Sequence, residues 1–187
     1  MSTGRNCIAE EAGKGLNRIN KEDKIDGVQE EEVDQPYLEF SVNYDQDTSI
    51  LSVFVSHTNS IRGLLEKCKI AQAMSDDELE ATPMNPFVRV SLLPGCSLPP
   101  QHGNVHRSTS KPYFQEHFHY NVPATEITLK TLQIAIYQHS DAPNKPELCL
   151  GHMILSLGDL QFNQVLPFRR PILPDEPVDS EVYFMVV

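Results

Sequence analysis

Apolar and polar residues alternate with a period of two over much of this chain, as in β-strands that bury one face. The clearest alternation runs from Tyr37 to Tyr44, and a polar turn at 45–48 and an apolar run at 50–55 follow it, so the pattern predicts a hairpin. Further strands are predicted at 87–93, 114–122, 129–137, 149–156 and 181–187, with a weaker one at 103–107. Short strands separated by proline or glycine indicate an all-β sandwich.

Two long connections depart from simple hairpins. Residues 61–84 separate the second and third strands, and Ser75 followed by acidic residues predicts the start of a helix. The apolar side chains of this insertion either cap the sandwich or dock a partner, and they are Ile61, Leu64, Leu65, Ile70, Met74 and Leu79. The second connection, 166–182, holds four prolines, which predict no regular ladder before the terminal strand.

The first 35 residues have no aromatic side chain, carry more acidic than basic residues and end in an acidic run at 30–34. Such a composition cannot bury enough apolar surface to fold by itself. We therefore expect a disordered acidic tail at 1–35 and a single domain at 36–187.

The middle of the chain carries the most specific motif. Residues 106–120 read HRSTSKPYFQEHFHY, and Val122, Pro123 and the strand KTLQIAIY at 130–137 follow. This order of basic turn, aromatic pair and alternating strands resembles a synaptotagmin-type C2 domain over roughly 37–160. The resemblance implies an eight-stranded antiparallel Greek-key β-sandwich of type I topology, with a helix in an inserted first loop.

C2 domains commonly bind calcium and anionic lipid through loops at one end, and the resemblance places those positions in this chain. Asn85 replaces the aspartate before the third strand, Gln138 and Ser140 replace two aspartates after the sixth, and Leu148 replaces another before the seventh. Calcium needs six to eight oxygens, several of them charged. We expect degenerate calcium-binding loops, with no metal or other cofactor.

An improvised calcium site is the alternative, built from Asp141, Glu147 and the acids of the insertion. Consecutive acids on a helix diverge around its axis, however, and an acidic first turn ordinarily stabilises the helix.

A second family site binds phosphoinositides through lysines on the third and fourth strands. Here Arg89 remains, but the fourth strand has no lysine, so we expect weak or no phospholipid binding. The candidate partner or lipid surface comprises Arg89, His106, Arg107, Lys111, Lys130, Leu64, Leu65 and Met74.

The net charge of −11 would repel nucleic acid and anionic membranes, and no basic cluster interleaved with aromatic residues offsets it, so nucleic-acid binding is not expected. Four dispersed cysteines without a CxxC pair indicate free thiols. No apolar run approaches about 18 residues, and no signal peptide is evident. We expect a cytoplasmic protein without a transmembrane segment, at most peripheral to membranes.

The chain has no nucleophile elbow, phosphate-binding glycine loop or HExxH motif, and we do not expect an enzyme. His117 and His119 share one strand face and could chelate a metal, but no third ligand is evident, so an exposed polar face is expected.

These features predict a calcium-independent C2 interaction module, acting as a protein-binding scaffold or adaptor in membrane trafficking or a related cytoplasmic assembly. The alternative is a peripheral membrane-targeting domain that binds phosphoinositides or calcium-bridged anionic lipid. A regulatory fragment of a larger enzyme is a third interpretation. The sequence does not identify the protein partner.

Overall fold

Two antiparallel sheets packed face to face make up the described part of the chain. The computed structural model describes residues 35–68, 75, 77, 81–94, 98–141 and 146–174. The strands are β1 (Tyr37–Asp45), β2 (Ile50–Thr58), β3 (Pro86–Leu93), β4 (Gln101–His102), β5 (Tyr113–Asn121), β6 (Thr131–Gln138), β7 (Leu148–Ser156), β8 (Leu166–Pro171) and β9 (Leu173–Pro174). The first sheet has the order β5-β2-β1-β8 and the second β4-β3-β6-β7-β9. The predicted all-β antiparallel sandwich is confirmed.

The β1–β2 hairpin forms as its alternation predicts. Every second residue of β1, from Leu38 to Tyr44, is buried in the core. The turn is closed by Asp45, whose Oδ1 accepts hydrogen bonds from the amides of Asp47 (2.9 Å) and Thr48 (3.2 Å). Hydrogen bonds from the side chain and then the amide of Thr48 lower the pKa of Asp45. Ser49, with a φ of 58°, completes the turn in the left-handed region.

The proline-rich connection does form a ladder, contrary to the sequence prediction. Strand β8 pairs antiparallel with β1, from Tyr37 opposite Pro171 to Val42 opposite Leu166. The prolines are tolerated because β8 is the edge of its sheet, where a missing N–H can face away from the ladder. The predicted strand at 181–187 lies outside the described residues.

The weak strand predicted at 103–107 is also wrong, since pairing is confined to the two residues of β4. Beyond β4 the backbone keeps two hydrogen bonds to β3, from the amides of Gly103 and His106 at 2.8 Å each, while the Asn104 amide donates to the Glu116 carboxylate at 3.0 Å. A Cβ at Gly103 would lie 2.7 Å from the Glu116 carboxylate, so glycine allows this close approach.

The insertion contains a helix that precedes the position where the sequence predicts one. Helix α1 spans Arg62–Lys67 and packs on the sandwich through Leu64 and Leu65, which are 1% and 4% exposed. Of the two alternatives, these leucines cap the core, so their assignment to a partner surface is corrected. The predicted helix start at 75–79 and the side chains of Ile70, Met74 and Leu79 fall outside the described residues, apart from Ser75 and Asp77.

A short helix that the sequence pattern did not predict, α2 (Ala124–Ile127), connects β5 to β6. Pro123 precedes it with a φ of −56°, which suits a helix start, and Ile127 anchors it in the core.

Two tyrosines bond to distant backbone through their buried hydroxyls. The Tyr44 hydroxyl donates to the Val122 carbonyl at 2.8 Å, and the Tyr120 hydroxyl donates to the Val90 carbonyl of the opposite sheet at 2.7 Å. Burial raises the pKa of Tyr120 to about 12. A phenolate there would lose both its hydration and the bond it donates.

The free energy of unfolding of the domain should therefore decrease as the pH rises from 10 to about 12. The unfolded tyrosine ionises near pH 10, whereas the folded one holds its proton to about pH 12, so its contribution is complete below pH 10 and is lost as the pH rises to about 12. Thermal melts at pH 9 to 12 should show a smaller alkaline decline for Tyr120→Phe. In Tyr113→Phe, whose ring is 66% exposed, the decline should match that of the unmodified domain.

Candidate functional site

All four degenerate calcium positions lie at one end of the sandwich. Gln138 ends β6, where it pairs with Pro86 on one side and Leu148 on the other, and Asn85 directly precedes Pro86. Ser140 follows two residues after Gln138. We call this end the tip and define it by Asn85, Arg107, Gln138, His139, Asp141 and Glu147.

Asn85 is buried at the centre of the tip, with 6% of its surface exposed. Its Oδ1 accepts a hydrogen bond from the Ser108 amide at 3.0 Å, and its carbonyl accepts one from the His139 amide at 2.9 Å. Its Nδ2 lies 3.5 Å from Oδ2 of Asp141. The side-chain amide therefore links two loops as a donor and an acceptor, which an ionised aspartate could not do.

Gln138 also uses both ends of its amide within the protein. Its Oε1 accepts the hydrogen bond of the Asn85 amide at 3.0 Å, and its Nε2 donates to the Pro83 carbonyl at 3.0 Å. Leu148 is partly buried and packs against the core, so it supplies no ligand. These positions have become part of the packing and hydrogen bonding of the loops.

The remaining acids at the tip face basic groups. Nη1 of Arg107 lies 2.9 Å from Oδ1 and 3.1 Å from Oδ2 of Asp141. His139 lies beside two carboxylates, with Nε2 at 3.8 Å from Asp141 and Nδ1 at 3.5 Å from Glu147. The Arg107 guanidinium offsets the charge of Asp141 and so weakens its attraction for an approaching cation.

Within the described ranges, no three His, Cys, Asp or Glu side chains are placed to hold a metal ion together. Asp141 and Glu147 therefore do not form the improvised calcium site considered from the sequence. The other acids considered for it, at 76, 78 and 80, lie outside those ranges.

Replacing Asn85 should weaken the domain more than breaking the ion pair beside it. Asn85→Ala removes the acceptor of the part-buried hydrogen bond from the Ser108 amide, and we expect a loss of about 1–3 kcal/mol in the free energy of unfolding. Arg107→Ala removes a pair whose members are 62% and 60% exposed, and solvent screening limits its effect to about 1 kcal/mol or less. Urea denaturation of both variants measures the difference, and equal losses would contradict the role assigned to Asn85.

The basic residues selected from the sequence do not form one surface. Lys130 precedes β6 and Arg107 lies at the tip beyond its far end, so a strand of eight residues, about 26 Å long, separates them. The Lys130 side chain is only 11% exposed, with Nζ 3.7 Å from Glu126 and 3.4 Å from the Pro94 carbonyl. Lys130 is therefore corrected from a surface residue to a structural one.

Of the other basic residues, Arg89 and His106 contact aromatic or acidic side chains, and Lys111 is exposed. Arg89 lies on the outer face of the second sheet, with its guanidinium 3.9 Å from the centre of the Tyr137 ring. His106 lies 3.4 Å from Glu116, which reduces any positive potential there. Lys111 is exposed in the loop before β5. Because Lys130 is far from Arg107 and the charges of Arg107 and His106 face carboxylates, the chosen residues do not together form one headgroup site in the described part of the chain.

Sequence reasoning missed two features of these surfaces. Tyr137 stacks on Phe87 at 5.5 Å and Phe87 on His102 at 6.0 Å, which makes an aromatic row beside Arg89. The strand alternation places Phe87, Arg89 and Tyr137 on the same outward face, and this pattern could have predicted the row. The Arg107–Asp141 pair joins loops 34 residues apart, and no local pattern indicates such a contact.

His117 and His119 lie on the exposed face of β5, as the strand alternation predicts. Their rings are parallel within 8° at a centroid distance of 6.2 Å, and Nδ1 of His119 is 3.1 Å from the Ser52 hydroxyl. His117 also contacts the Phe54 ring at 4.6 Å.

Comparison with known proteins places the chain in a family. The model of the C2 domain family matches residues 54–172, more than half of the chain, and the chain therefore belongs to the C2 domain family. Synaptotagmin-1 of Caenorhabditis elegans is 27% identical over 92% of the chain, and synaptotagmin-1 of Aplysia californica is 32% identical over 87%. The chain spans only about a third of the length of these relatives, 34% and 35%.

Structural comparison agrees on the fold. The crystal structure of a C2 domain of RIM from Drosophila superposes with a TM-score of 0.58 at 16% identity, over 74% of this chain and 98% of the other. C2 domains are modules that bind proteins or lipids. In the described part of this one, no helix has the length and apolarity needed to cross a bilayer.

Proposed function

We propose that this domain is a calcium-independent C2 interaction module that binds other proteins, as a scaffold or adaptor in membrane trafficking or a related cytoplasmic assembly. The arrangement of the tip is the observation that carries the proposal. The amides of Asn85 and Gln138 replace charged ligands and bond to the backbone of neighbouring loops, while Arg107 neutralises Asp141. Loops joined in this way need no cation between them.

Charge supports a protein partner over a lipid surface. A net charge of −11 disfavours approach to an anionic bilayer, and among the described cations Arg107 and Lys130 face carboxylates while Arg89 packs on the Tyr137 ring. A membrane dock would need several exposed cations within about one Debye length, roughly 8–10 Å, of each other.

The outer face of the first sheet supports protein recognition. Tyr113 is 66% exposed and stacks on His57 at 5.1 Å, and the Arg169 guanidinium lies 3.6 Å from the centre of the Tyr37 ring. Exposed aromatic rings and arginine are the residue types enriched where proteins bind one another.

Vesicle sedimentation tests the proposal against membrane targeting. The protein is spun with phosphatidylcholine vesicles, and with vesicles that also contain phosphatidylserine and a phosphoinositide, in calcium or in chelator. We expect the same small bound fraction in all conditions. Strong sedimentation that the chelator abolishes, or that the phosphoinositide alone produces, would support the peripheral membrane-targeting alternative instead.

A further inference from the structure

Two histidines stand side by side on the outer face of β5, which is an edge strand of the first sheet. His117 and His119 are two residues apart, so both side chains leave the same face of the strand, and both are exposed. Their rings are parallel within 8°, with centroids 6.2 Å apart. The pair does not belong to the tip, and the proposed function makes no use of it.

Contacts from neighbouring strands orient the two rings. Nδ1 of His119 lies 3.1 Å from the hydroxyl of Ser52 in β2, and the His117 ring packs on Phe54 of the same strand at a centroid distance of 4.6 Å. The His119 carbonyl accepts a hydrogen bond from Nε2 of Gln101 in β4 at 2.6 Å, which fixes the backbone at this point. The pair is therefore positioned before any ligand arrives.

The bond to Ser52 also suits His119 to bind a metal ion. When Nδ1–H donates to the Ser52 hydroxyl, the lone pair of the ring lies on Nε2, the nitrogen farther from the backbone. Metal-binding histidines commonly donate their second ring N–H in this way, because the bond fixes both the tautomer and the orientation of the ring.

The surface around the pair selects the kind of ion. The register of the first sheet places two further residues beside each histidine, and none of the four is charged: Ser52, Asn43, Phe54 and Ser41. No lysine or arginine in these rows repels a cation, and no carboxylate offers the oxygen ligands that calcium prefers. Two imidazoles favour borderline ions such as Zn²⁺ or Cu²⁺ instead.

A shared ion requires the two rings to tilt towards each other. Zinc–nitrogen bonds of about 2.0–2.1 Å in a tetrahedral shell place the two ligating nitrogens roughly 3.4 Å apart. Exposed side chains can make this movement without displacing the strand. Among the described residues no third His, Cys, Asp or Glu completes the set, so water has to fill the other coordination positions.

We propose that His117 and His119 chelate a divalent transition-metal ion such as Zn²⁺, with water in the remaining positions. Once one imidazole holds the ion, the second binds it at a high effective concentration, so the pair binds far more tightly than either ring alone. The pair lies on the first sheet, whereas the degenerate calcium positions belong to the second sheet and its loops. Metal binding here therefore does not depend on the tip.

A zinc titration of the unmodified protein, followed by the nuclear magnetic resonance signals of the histidine rings, tests this proposal. The signals of His117 and His119 should shift together and saturate at the same zinc concentration. His117→Gln and His119→Gln should each weaken zinc binding by the remaining ring at least about ten-fold. His102→Gln, which removes an exposed imidazole from the second sheet, is the matched control and should leave the titration of the pair unchanged. Calcium at the same concentrations should shift neither ring.

Separate titration of the two rings would overturn the proposal, as would an unchanged affinity of one ring after the other is replaced, because each imidazole would then bind zinc by itself. Equal shifts with calcium would also overturn it, since a pair of nitrogen ligands does not favour that ion. Unchanged amide signals of β3 will show that each variant keeps the fold.

Discussion

Calcium titrated into a variant with Asn85→Asp, Gln138→Asp and Ser140→Asp should produce saturable binding, with a dissociation constant of about 10⁻⁴ to 10⁻³ M. The substitutions add three carboxylates to the end of the sandwich that holds Asp141, whose Oδ2 is already 3.5 Å from Nδ2 of Asn85. Without calcium the same charges repel each other, and the variant should unfold at a lower urea concentration than the unmodified domain. Isothermal titration calorimetry measures the affinity.

A neutral variant of similar shape provides the control. Gln138→Asn and Ser140→Asn, with Asn85 kept, introduce side chains the size of aspartate without their charge. This control should bind no calcium. Binding to the control as tight as to the acidic variant would show that the loop geometry, and not its missing charge, governs affinity.

Leu64→Ala should lower the free energy of unfolding by about 2–5 kcal/mol. Leu64 is 1% exposed and belongs to the core, so truncation leaves a cavity beneath α1 where the helix covers the end of the sandwich. Chemical denaturation followed by circular dichroism gives the value.

Glu66→Ala in the same helix is the matched control, because Glu66 is exposed and its loss should change stability by about 0.5 kcal/mol or less. If Leu64→Ala were equally mild, α1 would not be a cap on the core, and its leucines would again be candidates for a partner surface.

The β-strands could be predicted well from the sequence, because most of them bury one face and expose the other. β1, β2 and β5 show this alternation over most of their nine residues, and their positions agree with prediction within a few residues. β8 could not be predicted in this way. Its prolines argue against a strand until its place at the sheet edge is known, and that place depends on tertiary structure.

The candidate site was predictable in composition but not in contacts. The missing charges at Asn85, Gln138 and Ser140 can be read from a resemblance, since they concern residue identity alone. That Arg107 meets Asp141 depends on how two loops fold towards each other. The same limit applies to the basic residues, because their number is evident from the sequence and only the fold shows that they are dispersed.

The most direct test follows the tip amides of the unmodified protein by nuclear magnetic resonance during a calcium titration. The amides of Ser108 and His139, which bond to Asn85, report on this region. We predict that their chemical shifts stay constant up to about 1 mM calcium, the weakest range of natural protein sites. Saturable shifts at micromolar calcium would contradict a tip that is held together by its own amides and the Arg107–Asp141 pair.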